Sequence, residues 1–407
     1  MLQRLFALTI PIVLLLLIDS YTFQAFKTAT HQVWVHYAYW VITMFAYLVL
    51  AVGIVTGFRT WNKKVRSYIG GFFMSIYLAK FVIIGFLMID DVVRLGRWFW
   101  MVFLGEGSTP IERIKIISQI GLFAASIPFV AMLKGMIHNA HNYLTRKHTL
   151  QIDHLPSVFE GFKIIQISDI HTGSLVNKTA VEGAIETINA LEADIVFFTG
   201  DLVNNFAAEA QPFVDIFKKI KAKYGVYSIT GNHDYGDYSR WESEEAKRQN
   251  FELLIDTHKR MGWKLLLNEH AIIEVGGKQL VIIGVENWSA NKRFRNYGDL
   301  AKAYKGAENA DLQLLLSHDP SHWRAEVLQL YPKIAATFSG HTHGFQFGIN
   351  TRFYKWSPVK YAYKEWMGLY QEGTQYLYVN PGFGYVGYPG RVGFLPEITV
   401  VELTSKT

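Results

Sequence analysis

Two histidines spaced two residues apart, His341 and His343, follow a run of small and apolar residues that is typical of a buried strand. Their imidazoles could bind a metal ion, because side chains two residues apart project to one side of an extended segment. Such a pair alone is weak evidence, since polar residues often stand where a strand leaves its sheet. The rest of the chain must decide whether these histidines are ligands.

Four more apolar runs end in residues of the same kind: FKIIQIS before Asp169, DIVFFTG before Asp201, VYSITG before Asn232 and LQLLLS before His318. In α/β sheets, side chains at the carboxyl ends of strands converge in one crevice. The candidate site therefore contains the following residues: Asp169, His171, Asp201, Asn232, His233, Asp234, His318, His341 and His343.

The chemistry of this set indicates a metal centre. Carboxylates combined with imidazoles suit zinc, iron or manganese, whereas a site made only of oxygens would suit magnesium or calcium. The chain has no cysteine, which removes thiolate ligands and a thiol nucleophile. Single histidines are often ordinary polar residues, but five strand ends with the same chemistry are hard to explain without a metal.

The elements that carry these residues fill only part of the chain. Of its 407 residues, 50% are hydrophobic, which is too many for a purely soluble enzyme. Apolar runs of membrane length fill the first third, and the remainder alternates short strands, loops and amphipathic stretches. We predict a transmembrane helical domain at 1–138, a linker at 139–154 and a catalytic α/β domain at 155–407. The four predicted spans lie near residues 5–26, 33–58, 68–89 and 111–137.

The charges in the short loops predict the orientation of these spans. Arg59, Lys63, Lys64 and Arg66 lie between the second and third spans, whereas only Lys27 lies between the first two. This pattern puts the amino terminus and, after four crossings, the catalytic domain on the cytoplasmic side of the inner (cytoplasmic) membrane. The net charge of +6 is modest, so no nucleic-acid partner is expected.

Two charged residues lie deep within the predicted spans, Asp19 and Lys80. An isolated charge at that depth is costly. If the first and third spans run the same way, the two residues lie at comparable depth and form an interhelical ion pair. The alternative is that each side chain reaches an interface or a water pocket.

Five sequence blocks resemble those of the calcineurin-like metallophosphoesterase superfamily: DIH at 169–171, GDLV at 200–203, GNHD at 231–234, SHDP at 317–320 and GHTH at 340–343. The apolar start and the closing segment NPGFGYVGYPGRVGFLPEITVVEL are similar to the bacterial membrane-anchored type (YaeI/YkuE-like). The resemblance implies a four-layer αββα sandwich preceded by an all-α transmembrane bundle of four helices.

The resemblance also implies roles for the site residues. One metal ion would be held by Asp169, His171, Asp201 and His343, and a second by Asp201, Asn232, His318 and His341. Two divalent ions (Mn²⁺, Fe²⁺ or Zn²⁺) sharing Asp201 would activate water for attack on phosphorus. We expect His233 to protonate the leaving oxygen, with Asp234 orienting it. Asn204 stands where relatives often have an acidic residue.

The predicted substrate is drawn from the membrane surface. The segment FQFGINTRFYKWSPVKYAYKEWMGLY interleaves aromatic and basic residues, which favours a headgroup interface over a loop that packs its aromatics inward. Arg293 and Arg295 could contact a phosphate. We therefore expect a membrane-anchored phosphoesterase or pyrophosphatase acting on a phosphorylated lipid or lipid-linked nucleotide, since some relatives cleave UDP-diacylglucosamine. The alternatives are a general phosphodiesterase tethered to the bilayer, and a membrane transport or signalling protein whose phosphoesterase-like domain only binds a ligand.

Overall fold

A computed structural model describes residues 2–104 and 111–406, which fall into two compact units, Met1–Met136 and Ile137–Thr407. Within the described residues, the first unit is built from four long helices: α1 (Leu2–Ala29), α2 (Val33–Thr56), α3 (Lys63–Leu104) and α4 (Lys115–Ile137). Each contains a stretch long and apolar enough to cross a membrane. The predicted bundle of four spans is confirmed.

Helix α3 is much longer than its predicted span of residues 68–89, because it runs for 42 residues from Lys63 to Leu104. The prediction ended the span at the acidic pair that begins with Asp90. That carboxylate is buried instead, accepting hydrogen bonds from the Arg113 guanidinium at 3.1 Å and from the backbone N–H of Ile114 at 3.0 Å. With this charge neutralised, the apolar stretch that follows continues the helix.

The predicted ion pair between Asp19 and Lys80 is also confirmed. The Lys80 ammonium donates to one oxygen of the buried Asp19 carboxylate, and the Tyr47 hydroxyl donates to the other. The Tyr77 hydroxyl lies 3.4 Å from that second oxygen, and the Tyr39 hydroxyl donates to the Asp19 backbone carbonyl at 2.8 Å. Two helices, α2 and α3, thus supply the partners of this buried charge on α1.

The second unit is a mixed α/β structure. Its strands, among the residues described, are β1 (Leu144–Ile152), β2 (Lys163–Ile167), β3 (Ile195–Phe198), β4 (Val226–Ser228), β5 (Trp263–Leu265), β6 (Glu269–Val275), β7 (Lys278–Gly284), β8 (Leu312–Leu316), β9 (Ile334–Ser339), β10 (Ile349–Asn350), β11 (Lys355–Trp356), β12 (Gly368–Glu372), β13 (Gln375–Val379) and β14 (Glu397–Ser405). Its helices are α5 (Lys178–Ala190), α6 (Val214–Phe217), α7 (Glu244–Met261), α8 (Leu300–Tyr304) and α9 (Leu328–Leu330).

Two six-stranded sheets form the centre of this unit, in the orders β1-β14-β2-β3-β4-β5 and β12-β13-β9-β8-β7-β6. Alternate residues on each strand face opposite sides. On β3, Phe197 packs into the core shared by the two sheets, while Phe198 packs into the core that also contains residues of α5 and α7. On β7, Ile282 faces the shared core and Ile283 faces residues of α8. The predicted four-layer αββα sandwich is therefore confirmed.

The predicted linker at 139–154 differs from the structure. Residues Leu144–Ile152 form β1, which pairs in parallel with β14 along its whole length. The local sequence is polar because β1 is an edge strand with most of its early side chains partly exposed. Its partner lies at the far end of the chain, so no local pattern signals the pairing.

Candidate metal centre

The candidate residues lie in loops that follow five strands. Asp169, Asp201 and Asn232 follow β2, β3 and β4, which are parallel neighbours in the first sheet. His318 and His341 follow β8 and β9, which are parallel neighbours in the second sheet. Because parallel strands end at the same edge, all five loops meet at one end of the sandwich.

Two groups of side chains converge there: Asp169 with His171 and His343, and Asp201 with His318 and His341. In each group the candidate ligand atoms lie within 4.8 Å of one another. The Nε2 atoms of His171 and His343 are 3.0 Å apart, and His343 Nε2 is 3.2 Å from Asp169 Oδ1. These nitrogen and oxygen atoms are therefore directed at a common point.

The Asp201 carboxylate lies between the two groups. Its Oδ2 atom is 3.6 Å from His171 Nε2 and 3.2 Å from His318 Nε2. In the second group, Asn232 Oδ1 is 2.7 Å from His341 Nδ1. The structure thus brings together all seven residues that the sequence proposed as ligands, with Asp201 in the central position.

The backbone at this site is strained. Left-handed φ angles cost non-glycine residues about 1 to 3 kcal/mol each and persist only where the surroundings enforce them. Five of the seven candidate ligands have such angles: Asp169 (52°), His171 (48°), Asp201 (60°), His341 (70°) and His343 (53°). Such strain clusters at functional sites, and here it turns the side chains toward one another.

Two glycines let the backbone pass close to the carboxylates. A Cβ atom at Gly231 would lie within 3.0 Å of Asp201 Oδ1 and His318 Nε2, and one at Gly340 would lie within 3.0 Å of Asp169 Oδ2. Real Cβ atoms essentially never approach other atoms so closely. The two glycines of GNHD and GHTH are therefore needed so that the backbone can pass close to the site.

The hydrogen bonds of His318 and His341 direct one nitrogen of each ring at the other candidate ligands. His318 Nδ1 donates to the Thr199 carbonyl at 2.7 Å, so Nε2 is the ring nitrogen that faces Asp201. This buried Nε2 has no hydrogen-bond partner among the described residues. His341 Nε2 contacts the Tyr363 hydroxyl at 2.9 Å, which leaves Nδ1 beside Asn232. Metal-binding histidines typically hold their second nitrogen in this way.

Burial and mutual charge set the protonation states. Burial raises the pKa of the Asp201 carboxyl, but the imidazoles of His318 and His233 outweigh it and hold that pKa well below its usual range. Burial lowers the pKa of His171 well below its usual value, although Asp201 opposes this effect. An anionic carboxylate and a neutral imidazole are the forms that bind divalent ions. Together with His318 Nε2, which faces Asp201, and the close backbone approach at Gly231, they show that this donor set fits divalent metal ions.

His233 lies at the site, but Asp234 does not orient it as predicted. The His233 ring is held by the Asn204 carbonyl, 2.7 Å from Nδ1. The Asp234 carboxylate instead accepts from the backbone N–H groups of Asp201, Leu202 and Gly231 at 2.9 Å each. The Val203 N–H also donates to it at 3.3 Å, and because four amides converge on Asp234, its role is to shape the loop that carries Asp201.

The predicted phosphate contacts, Arg293 and Arg295, are not brought to the centre. Both are exposed, and the Arg295 guanidinium lies 4.0 Å from the Asp237 carboxylate, with its side chain 69% exposed. The residue between them reaches the site instead, because the Phe294 ring meets the His341 ring edge-on with centroids 4.6 Å apart. An aromatic side chain therefore borders the centre where a cation was expected.

Sequence reasoning missed three neighbours of the site. The Tyr363 hydroxyl bonds His341 and also donates to Asp319 Oδ2 at 3.1 Å. Fully buried Arg391 lies 3.3 Å from His343 Nδ1 and donates to the Gly384 carbonyl. Asp319 stands within the SHDP block and could have been suspected, whereas Tyr363 and Arg391 carried no local signal.

Two family models match the chain. Residues 3–140 match the family described as "Probable Calcineurin-like phosphoesterase, transmembrane domain". Residues 162–345 match the family described as "Calcineurin-like phosphoesterase". The second match contains all seven candidate ligands.

Individual relatives agree with these matches. The "Transmembrane protein with metallophosphoesterase domain" of Bos taurus is 30% identical over 311 residues, which cover 74% of this chain and 66% of the relative. This chain thus spans less than two thirds of that relative. The uncharacterized metallophosphoesterase YkuE of Bacillus subtilis is 31% identical over 271 residues, which cover 65% of this chain and 87% of the relative. Among solved structures, the NAD nucleotidase of Haemophilus influenzae matches at 14% identity and a TM-score of 0.37, covering 55% of this chain and 45% of its own.

Proposed function

This chain belongs to the calcineurin-like phosphoesterase family with a transmembrane domain, and from this premise we propose that it is a membrane-anchored, metal-dependent hydrolase of phosphoester bonds. The observation that carries the proposal is the convergence of seven candidate ligand side chains, five of them on left-handed backbone, with the Asp201 carboxylate between the two groups.

The proposed ligand sets are those implied by the family pattern. Asp169, His171, Asp201 and His343 would hold one ion, and Asp201, Asn232, His318 and His341 the other. Two divalent ions, with manganese, iron and zinc as the candidates, would supply an activated water and neutralise phosphate oxygens. The protein's part is to hold these side chains in place before the substrate arrives, so that no reorganisation is needed during the reaction.

His233 is the proposed general acid. Its backbone N–H donates to Asp201 Oδ1 at 2.8 Å, and its Nδ1 is held by the Asn204 carbonyl. With Nδ1 occupied, the proton would leave from Nε2 toward the oxygen of the leaving group. The Tyr238 hydroxyl accepts from the Asn232 amide at 2.9 Å, which turns the amide oxygen of Asn232 toward His341.

We propose an amphiphilic substrate, a phosphorylated lipid or a lipid-linked nucleotide such as UDP-diacylglucosamine. Phe294, which meets the ring of His341, and Tyr238, whose ring centroid lies 4.8 Å from that of His233, give the site aromatic borders. Such borders suit a substrate with apolar or planar groups beside its phosphate. A general phosphodiesterase merely tethered to the bilayer is the alternative, and it would cleave soluble and membrane-bound diesters equally well.

We also propose that the catalytic unit faces the cytoplasm. The connection between α2 and α3 is rich in basic residues. The positive charges near the opposite end of α3 are largely neutralised, since Arg94 pairs with Asp91 at 3.0 Å and Arg113 with Asp90 at 3.1 Å. This difference supports an inside location for the α2–α3 connection and hence for the catalytic unit.

Hydrolysis by purified full-length protein loaded with manganese tests the proposal, using wild type, Asp201→Asn and His233→Gln. We expect Asp201→Asn to lose at least about 100-fold in rate on every diester. His233→Gln should lose about 100-fold on an alkyl ester and much less on a p-nitrophenyl ester, whose leaving group needs no proton. Equal rates for wild type and Asp201→Asn would contradict the hydrolase proposal.

The substrate class needs a separate experiment. The loaded protein is incubated with a cellular lipid extract, and products are identified by mass spectrometry against the Asp201→Asn variant. A phosphorylated lipid consumed only by wild type supports the amphiphilic substrate. Turnover of soluble diesters with no lipid consumed would favour the tethered general phosphodiesterase.

A further inference from the structure

A short hairpin projects from the catalytic unit immediately after the metal centre. Strands β10 and β11 pair antiparallel, with Ile349 opposite Trp356. The turn between them is closed by the Thr351 N–H, which donates to the Tyr354 carbonyl at 2.9 Å. At its tip the Phe353 side chain is 92% exposed. Transfer of a large aromatic ring from water to an apolar surrounding is favourable, so burial of Phe353 against a partner would release free energy.

Phe353 is one of a cluster. We call residues 345–364 the aromatic hairpin, and its exposed large apolar side chains are Phe345, Ile349, Phe353, Tyr354 and Tyr361. Exposed apolar residues scattered singly are normal on soluble surfaces. Five within 20 consecutive residues are a concentration of exposed apolar side chains, and such a concentration favours a site of interaction.

The base of the aromatic hairpin is firmly packed. Val359 is buried in a small core with Trp366, Met367 and Phe394. The Lys355 ammonium folds back onto this core, donating to the Met367 carbonyl at 2.6 Å. The alternative that the whole segment packs its aromatics inward is therefore wrong for its outer half, because the core is complete without Phe353 and Tyr361.

The charge of the aromatic hairpin selects the kind of partner. It contains four basic residues and no acidic residue, in a chain whose net charge is only +6. All four are exposed, but the Lys355 ammonium is engaged with the Met367 carbonyl and the Trp366 ring, which leaves Arg352, Lys360 and Lys364 to meet a partner. Aromatic side chains interleaved with exposed cations match the headgroup layer of an anionic bilayer, where rings lie among the headgroups and cations meet lipid phosphates.

We propose that the aromatic hairpin is a second membrane contact, which inserts Phe353 and its neighbours into the headgroup layer of an anionic bilayer. The chain also carries apolar helices long enough to span a bilayer, which favours lipid over an acidic protein as the partner. Insertion does not depend on catalysis. It does deepen the proposed function, since it would hold the metal centre close to lipid phosphates.

The aromatic hairpin is attached to the metal centre at both of its ends. It begins two residues after His343, through a turn in which Gly344, Phe345 and Gln346 all have left-handed φ angles. Its other end returns Tyr363 to His341 at 2.9 Å. Both ends of the inserted segment are thus attached to the site, and the strained turn keeps Phe345 exposed rather than folded inward.

Site-directed labelling tests the insertion directly, because the chain has no cysteine of its own. Phe353→Cys in the full-length protein is labelled with a nitroxide and placed in nanodiscs of phosphatidylcholine, alone or mixed with phosphatidylglycerol. Leu330→Cys, in the same unit and also exposed at 65%, is the matched control. Accessibility to oxygen and to a water-soluble nickel chelate is then measured by electron paramagnetic resonance.

We expect the label at 353 to be protected from the nickel chelate and accessible to oxygen, more strongly with phosphatidylglycerol, while the label at 330 stays accessible to the chelate. Equal, water-like accessibility at both positions in both lipids would overturn the proposal. The measurement is repeated with Asp201→Asn, which should leave the label at 353 protected. A failure of hydrolysis is thereby separated from a failure of insertion.

A functional readout uses a different variant. Phe353→Asp should lower hydrolysis of a diester embedded in nanodiscs by about 10-fold and leave hydrolysis of a soluble diester unchanged. Tyr331→Phe, in the same unit but outside the aromatic hairpin, serves as the control and should alter neither rate. Equal losses on both substrates, or no loss on either, would contradict a membrane-docking role for Phe353.

Discussion

Both units of the protein bury charged side chains, but they satisfy them differently. In the membrane unit, the Asp19 carboxylate is neutralised by Lys80 and bonded by Tyr47, with no residue of this cluster in a left-handed conformation. In the catalytic unit, buried carboxylates and imidazoles crowd together on strained backbone, and His318 Nε2 lacks a hydrogen-bond partner among the described residues. A buried charge with internal partners is structural. A cluster on strained backbone, in which a buried nitrogen such as His318 Nε2 has no hydrogen-bond partner in the part of the chain that the structure describes, is typical of a ligand-binding site.

The most severe test of this contrast is to break the Asp19–Lys80 pair. Asp19→Asn leaves the buried Lys80 ammonium without a counter-charge, so we expect a loss of about 3 kcal/mol in the stability of the helical unit. The double variant Asp19→Asn with Lys80→Met should recover most of it. Thermal unfolding in detergent measures both. If each single variant is as stable as wild type, the pair does not hold the bundle together.

The space around the metal centre gives the next largest effect. Gly231→Ala places a Cβ atom within 3.0 Å of Asp201 Oδ1, so the central carboxylate must move. We expect this displacement of the Asp201 carboxylate to lower the hydrolysis rate by about 100-fold. Gly183→Ala is the control, because a Cβ at this position in α5 meets nothing within 4 Å. An active Gly231→Ala protein would show that the site tolerates a displaced Asp201.

The next prediction concerns the hydrogen bond between Tyr363 and the candidate ligand His341. Tyr363→Phe deletes the hydroxyl that bonds His341 Nε2 and Asp319, so the proposed metal affinity should fall by about 10-fold. Competition with a chelator measures that affinity. Tyr361→Phe, a change of the same kind in an exposed neighbour, should leave it unaltered. Equal affinities for the two variants would mean that Tyr363 is a packing residue only.

The smallest effect concerns a buried histidine outside the metal centre. Burial lowers the pKa of His258 from its usual 6.5 to about 3, and its Nδ1 lies 3.0 Å from the Ser228 hydroxyl. Below pH 6.5 the unfolded chain takes up a proton that the folded chain refuses, so stability falls as the pH drops. Between pH 7.5 and 5.5 the loss is about 1.4 kcal/mol.

His258→Gln removes this contribution while keeping a polar group. The stability difference between wild type and variant should therefore shrink or reverse toward pH 5.5, which thermal unfolding at each pH would measure. A difference that is constant with pH would show that His258 is not held neutral in the fold.

The sequence predicted the candidate ligands of the site better than it predicted the residues that hold them in place. Apolar runs ending in Asp, Asn or His identified the strand ends, and parallel strands bring such ends together whatever the loops do. The residues that hold the candidate ligands in place could not be predicted in this way. Tyr363 reaches His341 only because the aromatic hairpin folds back, and Asp234 was assigned to its neighbour His233 although its carboxylate binds backbone amides.

Long-range pairing limited the prediction of the fold. β1 was read as linker because its partner β14 lies at the other end of the chain. The predicted span of residues 68–89 covers only part of helix α3, in which Asp90 is neutralised by Arg113 from a later segment. In both places the deciding contact is distant in sequence, whereas the hydrophobic pattern reports only local burial.

Elemental analysis of the full-length protein, loaded with manganese and then desalted, tests the central claim most directly. Wild type should retain two divalent ions per chain, and Asp201→Asn should lose both, because the Asp201 carboxylate lies between the two groups of ligands. Wild type without retained metal, or an equal metal content in Asp201→Asn, would contradict the account.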